Sequence, residues 1–553
     1  MVALCLAGAL GAEERWVQAH SGPFTVMSDA GDRAVQERLA YLEQFREALR
    51  ITLGKPDLTP VWPIRVLVFK NGRGSPFALG RDAVMASVAD KQPFSRADLR
   101  ELGRLLIWPN TNRLPPGIED GLLTLFSTLE VSGTHITLGD PPPSEERTRD
   151  WVRMQLLATK FDYRGRMRVM ISNLEQLPDL EPACRNAFEK SAADIEREVD
   201  AYWKAGSFST TSVSGRTLSP TRDLHVQPAT GNDVKLAMAD LMLATGSDQA
   251  SAAYGAMQGL EADEGLGLIA LQKKDSAEAR KRLEAAVKAD SKNARVWAEL
   301  ALLESDEAKA RRELTKANEL NPRWAAVPHR LAQLEKDAGR KADQLKKACK
   351  LDPRDAAAWE ELARAQIDAK QFVEAQKAWA GAERAAANDA ERERIRQERL
   401  EVERERADFE ASERKRESDE RQRDINRVKQ ASMAEIHAAE DQANRKLNAD
   451  GASKPLGKVE EWWTGPEAGA KLSGTLERVD CLGRQARLVV RGSDGAMVQL
   501  LVRDPGQIVL SGGGVKTLGC GVQRPPRAVT VQYAPKPDKK LGTAGEAATV
   551  EFR

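Results

Sequence analysis

Residues 355–385 read DAAAWEELARAQIDAKQFVEAQKAWAGAERA, and their spacing decides how the middle of the chain is built. Counting Ala356 as position 1, Trp359, Leu362, Ala363, Ala375, Trp379 and Ala382 fall at positions 4, 7, 8, 20, 24 and 27. Two helices joined by a short turn produce such spacing. The small residues let paired helices approach closely, and the larger ones fill the gap between neighbouring units. A second copy opens at Leu260 and places Leu266, Gly267, Ala279, Leu283 and Ala286 at positions 7, 8, 20, 24 and 27. Between the copies, ARVWAELALLE and AAVPHRLAQLE open units at Ala294 and Ala325, with turn signals ADS, LNP and LDP beginning at 289, 320 and 351. The two inner units are 31 residues long, against 34 for the unit from Leu260. Residues 233–258 predict one further, atypical helical pair as a cap.

This pattern resembles the tetratricopeptide repeat (TPR), which implies an all-α solenoid over residues 231–389. Stacked repeats curve and leave a concave face lined by their first helices. Protein or peptide partners are therefore expected there, at residues such as Arg295, Glu299, Arg330 and Glu360, while Trp297, Trp359 and Trp379 read as packing residues.

Beyond the repeats, no Gly or Pro occurs from Ala382 to Asp450, and residues 391–430 hold 26 charged side chains, 13 of each sign. Acid-first pairs four apart, such as Glu410/Arg414, Glu417/Arg421 and Asp419/Arg423, predict a long solvated helix over 390–450. Ile395, Val402 and Phe409 are seven apart, but the second seam position is charged or absent, so a sustained coiled coil is not expected. Ile425, Val428, Ser432 and Ile436 line one face, read as intramolecular packing. Equal acid content, without interleaved aromatics, argues against nucleic acid as partner.

Residues 457–553 change character: KLSGTLERVDC, QARLVVR, AMVQLLVRD, QIVLSGG, RAVTVQY and AATVEF are strand-length runs between Gly, Pro and Asp turns. A small antiparallel β-barrel or sandwich is expected, with Trp462 and Trp463 as an aromatic plug at its entrance and SGGGV at 511–515 as a turn. Cys481 and Cys520 each end a strand-like run beside glycine and are expected to form a disulfide, closing a 39-residue separation. Cys184 and Cys349 read as separate packing residues in different domains.

Residues 13–230 alternate strand-like and helical runs and predict an α+β domain. Within it, RELGR at 100–104 is followed by LPPGIEDGLLTLFSTLEV at 114–131. Together with the preceding order strand, strand, helix, strand, this resembles the gluzincin-like domain called peptidase MA-like, over about residues 14–205. Active members carry H-E-x-x-H on a helix, where two imidazoles one turn apart hold zinc and the Glu activates water. The resemblance maps Glu101 onto the general base and Asp120 onto the third, acidic ligand, whereas both histidine positions are arginines, Arg100 and Arg104. A guanidinium stays protonated and repels a dication, so the implied domain is degenerate, with no metal and no cofactor. His20, His135, His225, His329 and His437 include no pair four apart to replace them. Arg100 and Arg104 are expected to pair with Glu101 or Asp120 instead.

With 84 basic against 83 acidic residues, the net charge of +1 offers no general attraction to nucleic acid or an anionic membrane. Residues 1–12 end in Ala-Leu-Gly-Ala ahead of Glu13 and Glu14, like the end of a signal peptide. They are too short to span a bilayer, and extracytoplasmic localisation, periplasmic or secreted, is the resulting expectation. The whole reads as a noncatalytic, exported multidomain scaffold for protein partners. Two rivals stand beside it: a hydrolase using Glu101 and Asp120, peptidase or glycosidase-like, and a cell-envelope polymer binder acting through the β domain.

Overall fold

A computed structural model describes residues 15–449, 468–512 and 517–552; residues 1–12, Trp462 and Trp463, and most of the 511–515 turn lie outside the described residues. The chain divides into two units, up to Gln422 and from Arg423.

The first unit begins with a mixed six-stranded sheet. Ile64–Phe69, the apolar run IRVLVF, pairs in parallel with Phe24–Ser28 on one side and Val84–Ala89 on the other. Val17–Ser21 and Ser75–Leu79 extend the sheet antiparallel at either side, and Gln227–Pro228 adds a short outermost strand. A strand is apolar on both sides only when both sheet faces are covered, and here they are. Val66 and Val68 pack with Leu39, Leu42, Phe45 and Leu49 of helix Asp32–Leu53. Leu67 faces the other way, with Trp16, Met27 and Ala237. Ala237 belongs to helix Gly231–Ala244, the first helix of the repeat region. The segment read as a terminal cap thus also covers the outer sheet face, joining the α+β domain to the repeats through a common core.

Among the described residues seven further α-helices complete the α+β domain, and two glycines set how closely three of them approach. A Cβ at Gly103 would lie 2.8 Å from Leu123 Cδ2, and one at Gly121 would lie 2.3 Å from the Asp150 carbonyl oxygen. Helices Arg96–Ile107, Pro116–Phe126 and Arg149–Thr159 can therefore stack with near backbone contact.

The repeat region is a TPR-like solenoid of helical hairpins: Leu260–Gln272 with Ser276–Lys288, Ala294–Leu303 with Glu307–Leu320, Ala326–Gln333 with Ala338–Leu351, and Ala356–Asp368 with Phe372–Ala385. Asp275, Asn293, Asp306, Asp337 and Asp355 cap five of these helices by accepting backbone N–H bonds. Leu362, Ala363, Ala375, Trp379 and Ala382 are buried, and Trp359 packs over Gly381, where a Cβ would meet the indole at 2.5 Å.

Helix Asp389–Ala449 follows. Ile395 and Val402 are buried in the core of the last hairpin, and Phe409 meets Phe372 at 5.1 Å between ring centroids. The seven-residue spacing thus serves an intramolecular cap. The second stripe differs from expectation: Ile425, Val428 and Ile436 are 52%, 66% and 52% exposed, because a helical periodicity specifies a face and not its cover.

In the second unit, Ala470–Leu482, Gln485–Gly492 and Met497–Val502 form an antiparallel meander, and Gly521–Ala534 returns beside the first strand. Gly545–Phe552 pairs antiparallel with Gly521–Ala534 and in parallel with Met497–Val502 through Leu500↔Gly545 and Leu501↔Glu546. That last pairing closes the ring in the strand order of an OB-type barrel and replaces the purely antiparallel arrangement expected. Leu476, Leu488, Val490, Leu500, Val529, Val531 and Val550 fill it. A disulfide joins Cys481 to Cys520, with Cα atoms 5.7 Å apart; Cys184 and Cys349 are free and buried.

Candidate functional site

Ser95 starts helix Arg96–Ile107 with a capping box completed by Asp98. The helix then carries Arg100, Glu101 and Arg104, of which Arg100 reaches across to Pro116–Phe126. Arg104 Nη1 donates to Glu101 Oε2 at 3.0 Å, and Arg100 Nη2 reaches Asp120 Oδ1 at 3.5 Å. Arg100 also donates to the Thr124 hydroxyl. Burial, with the neighbouring Arg104 charge second, lowers the Arg100 pKa from its ordinary value. Arg100, Glu101, Arg104 and Asp120 therefore form two ion pairs, with Glu101 38% and Asp120 62% exposed at their side chains. Zinc does not fit this donor set: Arg100 and Arg104 are cations, and Asp120 and Glu101 each face one of them. Among the described residues no cluster of three or more His, Cys, Asp or Glu side chains has metal-binding geometry.

Glu119, one residue before Asp120, was missed as a functional position in the sequence. It accepts from Trp108 Nε1 at 2.7 Å and from both terminal nitrogens of Arg354, Nη1 at 3.1 Å. Arg354 is 6% exposed, also donates to the Thr111 carbonyl at 3.3 Å, and lies in the turn before the last repeat. Arg113 donates to the Ala385 carbonyl at 2.8 Å. The motif helix pair is therefore docked on the repeats.

Two further contacts line the same junction. At the preceding turn, Arg323 Nη2 donates to Thr59 O at 2.9 Å and Asn110 Oδ1 at 3.1 Å. Asn321 Nδ2 donates to Val61 O at 3.1 Å, and Trp62 meets Trp324 edge-on at 5.0 Å. Near the first repeats, Arg81 is a buried hub: its Nε donates to Asp240 Oδ1 at 3.0 Å, and it pairs with Glu264. Arg65 reaches Asp240 Oδ2 at 3.0 Å, Tyr254 donates to Oδ1 of the same carboxylate, and Asn293 Nδ2 donates to Arg81 O at 3.1 Å. Buried charges persist where they are paired and hydrogen-bonded, and each member here has a partner.

This docking changes the reading of the expected partner residues. Arg295 is half-buried and donates to the Gly80 carbonyl, and Glu360 is held by Arg394 of the long helix and Arg364. Arg330 lies over Trp324 at 5.9 Å, and Glu299 is half-buried. Arg295, Arg330 and Glu360 are thus committed within the chain. The repeat turns, whose Pro, Asn and Arg content reads only as loop signal, prove to be the anchoring points.

No family model matches the chain, and no curated protein does. Among solved structures, MamA is 19% identical, covers 32% of this chain and 98% of its own, and gives a TM-score of 0.23. YrrB, titled a TPR protein with an unusual peptide-binding site, is 18% identical over 30% of this chain and 90% of its own, with a TM-score of 0.26. PilF of Pseudomonas aeruginosa is 18% identical over 32% of this chain and 87% of its own, with a TM-score of 0.27. At these scores the likenesses add nothing to the reading of the hairpins made from their own packing.

Proposed function

We propose that the chain is an exported, noncatalytic scaffold for protein or peptide partners, with a pseudo-peptidase domain fixed to a TPR-like solenoid. The observation that carries this reading is the junction: the α+β domain is fastened to successive repeat turns by buried ion pairs and a shared core, an arrangement that presents two domains as one surface. The arginine pairs support the noncatalytic part. Glu101 and Asp120, the two carboxylates a zinc mechanism would use, each have a guanidinium partner. Elemental analysis of protein purified without chelator is expected to show background zinc, and casein is expected to remain uncut. One equivalent of zinc per chain, with hydrolysis abolished by Glu101→Gln, would overturn the reading.

One observation favours a second role, polymer binding at the barrel. Arg484, in the hairpin after its first strand, and Lys536, Lys539 and Lys540, before its last, have no acidic partner within salt-bridge distance among the described residues. Loops of such barrels bind extended polymers. Retention on a heparin column that Lys539→Glu and Lys540→Glu together abolish supports this role; elution unaffected by them removes it.

No described helix is long and apolar enough to cross a membrane.

A further inference from the structure

Lys292, Arg323 and Arg354 occupy the same place in three successive repeats, two residues before the unit starts at Ala294, Ala325 and Ala356. Their partners differ. Lys292 pairs with Asp290 in its own turn, and Arg354 holds the Glu119 carboxylate of the α+β domain. Arg323 reaches across the junction like Arg354, yet finds only the neutral oxygens of Thr59 and Asn110, and its Nε is buried without a hydrogen-bond partner. Beside it opens a cleft of about 510 Å³ between the α+β domain and the third repeat, lined also by Lys55, Ser172, Glu175, Gln176 and Lys350. Glu175 is neutralised there, since Lys55 Nζ donates to both its oxygens at 2.8 and 2.9 Å. Lys350 is exposed and, like Arg323, has no carboxylate partner among the described residues. Asp57, the carboxylate that feels the Arg323 charge, is itself paired with Arg46 at 2.9 Å. The cleft is therefore lined by two cations without an ion pair of their own among the described residues, and its volume lies in the range of small-ligand sites, roughly 300–1,000 Å³.

We propose that this junction cleft binds an acidic peptide, its carboxylates meeting Lys350 and the Nη1 edge of Arg323, the terminal nitrogen not spent on Thr59 and Asn110. The proposal rests on the scaffold reading and assigns it a partner chemistry. A guanidinium and an ammonium lining one cleft suit a carboxylate through charge-assisted hydrogen bonds, and binding should weaken with salt.

The test is fluorescence anisotropy of the full chain with a dye-labelled tetraglutamate peptide, and with tetraglutamine as its neutral counterpart. Saturable binding of tetraglutamate alone is expected, weakened about tenfold or more by Lys350→Glu and by Arg323→Gln. Lys350 makes no ion pair, so Lys350→Glu leaves the fold intact, and an unchanged thermal melt verifies this. Absence of saturable binding, equal binding of tetraglutamine, or indifference to Lys350→Glu would each overturn the proposal. The zinc and casein assays are independent of it, so the cleft can fail while the scaffold reading stands.

Discussion

The ion pairs of the junction and those of the Arg100–Arg104 helix use the same chemical groups in opposite surroundings. Arg81, Asp240, Glu264 and Arg354 are 6%, 0%, 2% and 6% exposed, whereas the side chains of Glu101 and Asp120 are 38% and 62% exposed. A charge removed from water must be matched, and deleting its partner leaves an expensive group behind; an exposed pair merely exchanges its partner for water. The Arg100–Arg104 helix is thus electrostatically quiet. The strongly coupled charges sit where the two domains meet.

The largest expected effect comes from Arg81→Ala, which leaves buried Glu264 without a cation and Asp240 with Arg65 alone. Urea unfolding should show a loss of about 3–5 kcal/mol, and a loss under 1 kcal/mol would erase the contrast between the two regions. Glu119→Ala should follow, at about 2–3 kcal/mol, because it leaves the Arg354 guanidinium buried with only neutral acceptors. A smaller effect separates a third environment. Glu313 lies buried in a repeat helix, 3.8 Å from Lys309, and burial, with Glu304 second, pushes its pKa up to about 7 from 4.5. The folded state thus favours the protonated acid, so this contribution is fully present below pH 4.5 and lost as pH rises through 7. Glu313→Gln should leave the melting temperature near pH 4 unchanged and raise stability near pH 8 by on the order of 1 kcal/mol; equal shifts at both pH values would contradict the assignment. Smallest of all, Arg104→Gln should cost about 0.5 kcal/mol or less in urea unfolding, as expected for a half-exposed i,i+3 pair.

How much of this was legible in the sequence depends on the distance over which each feature is specified. The hairpins were readable because Trp359 and Gly381, or Gly267 and Leu283, meet within one unit, so their sizes must match locally. The barrel strands were readable from alternation, yet the parallel pairing of Leu500 with Gly545 was not, since ring closure depends on strands far apart in the chain. The stretch RELGR stood out by its charge pattern, but the role of Glu119 did not: its partner Arg354 lies 235 residues away. Arg81 and Glu264, 183 apart, were invisible for the same reason. The choice of Arg295 and Glu360 as partner contacts followed from treating the repeats as a free solenoid. Their first helices are partly occupied by the chain's own domain and its own long helix.

The most direct test of the central claim, that the α+β domain and the repeats behave as one body, is native-state hydrogen exchange followed by mass spectrometry on the full chain. The account predicts that strand Ile64–Phe69, helix Gly231–Ala244 and the helices between Ala294 and Ala385 open with one common free energy, which Arg81→Ala lowers for all of them together. Repeat helices that exchange independently of the strand, with the strand unaffected by Arg81→Ala, would contradict it.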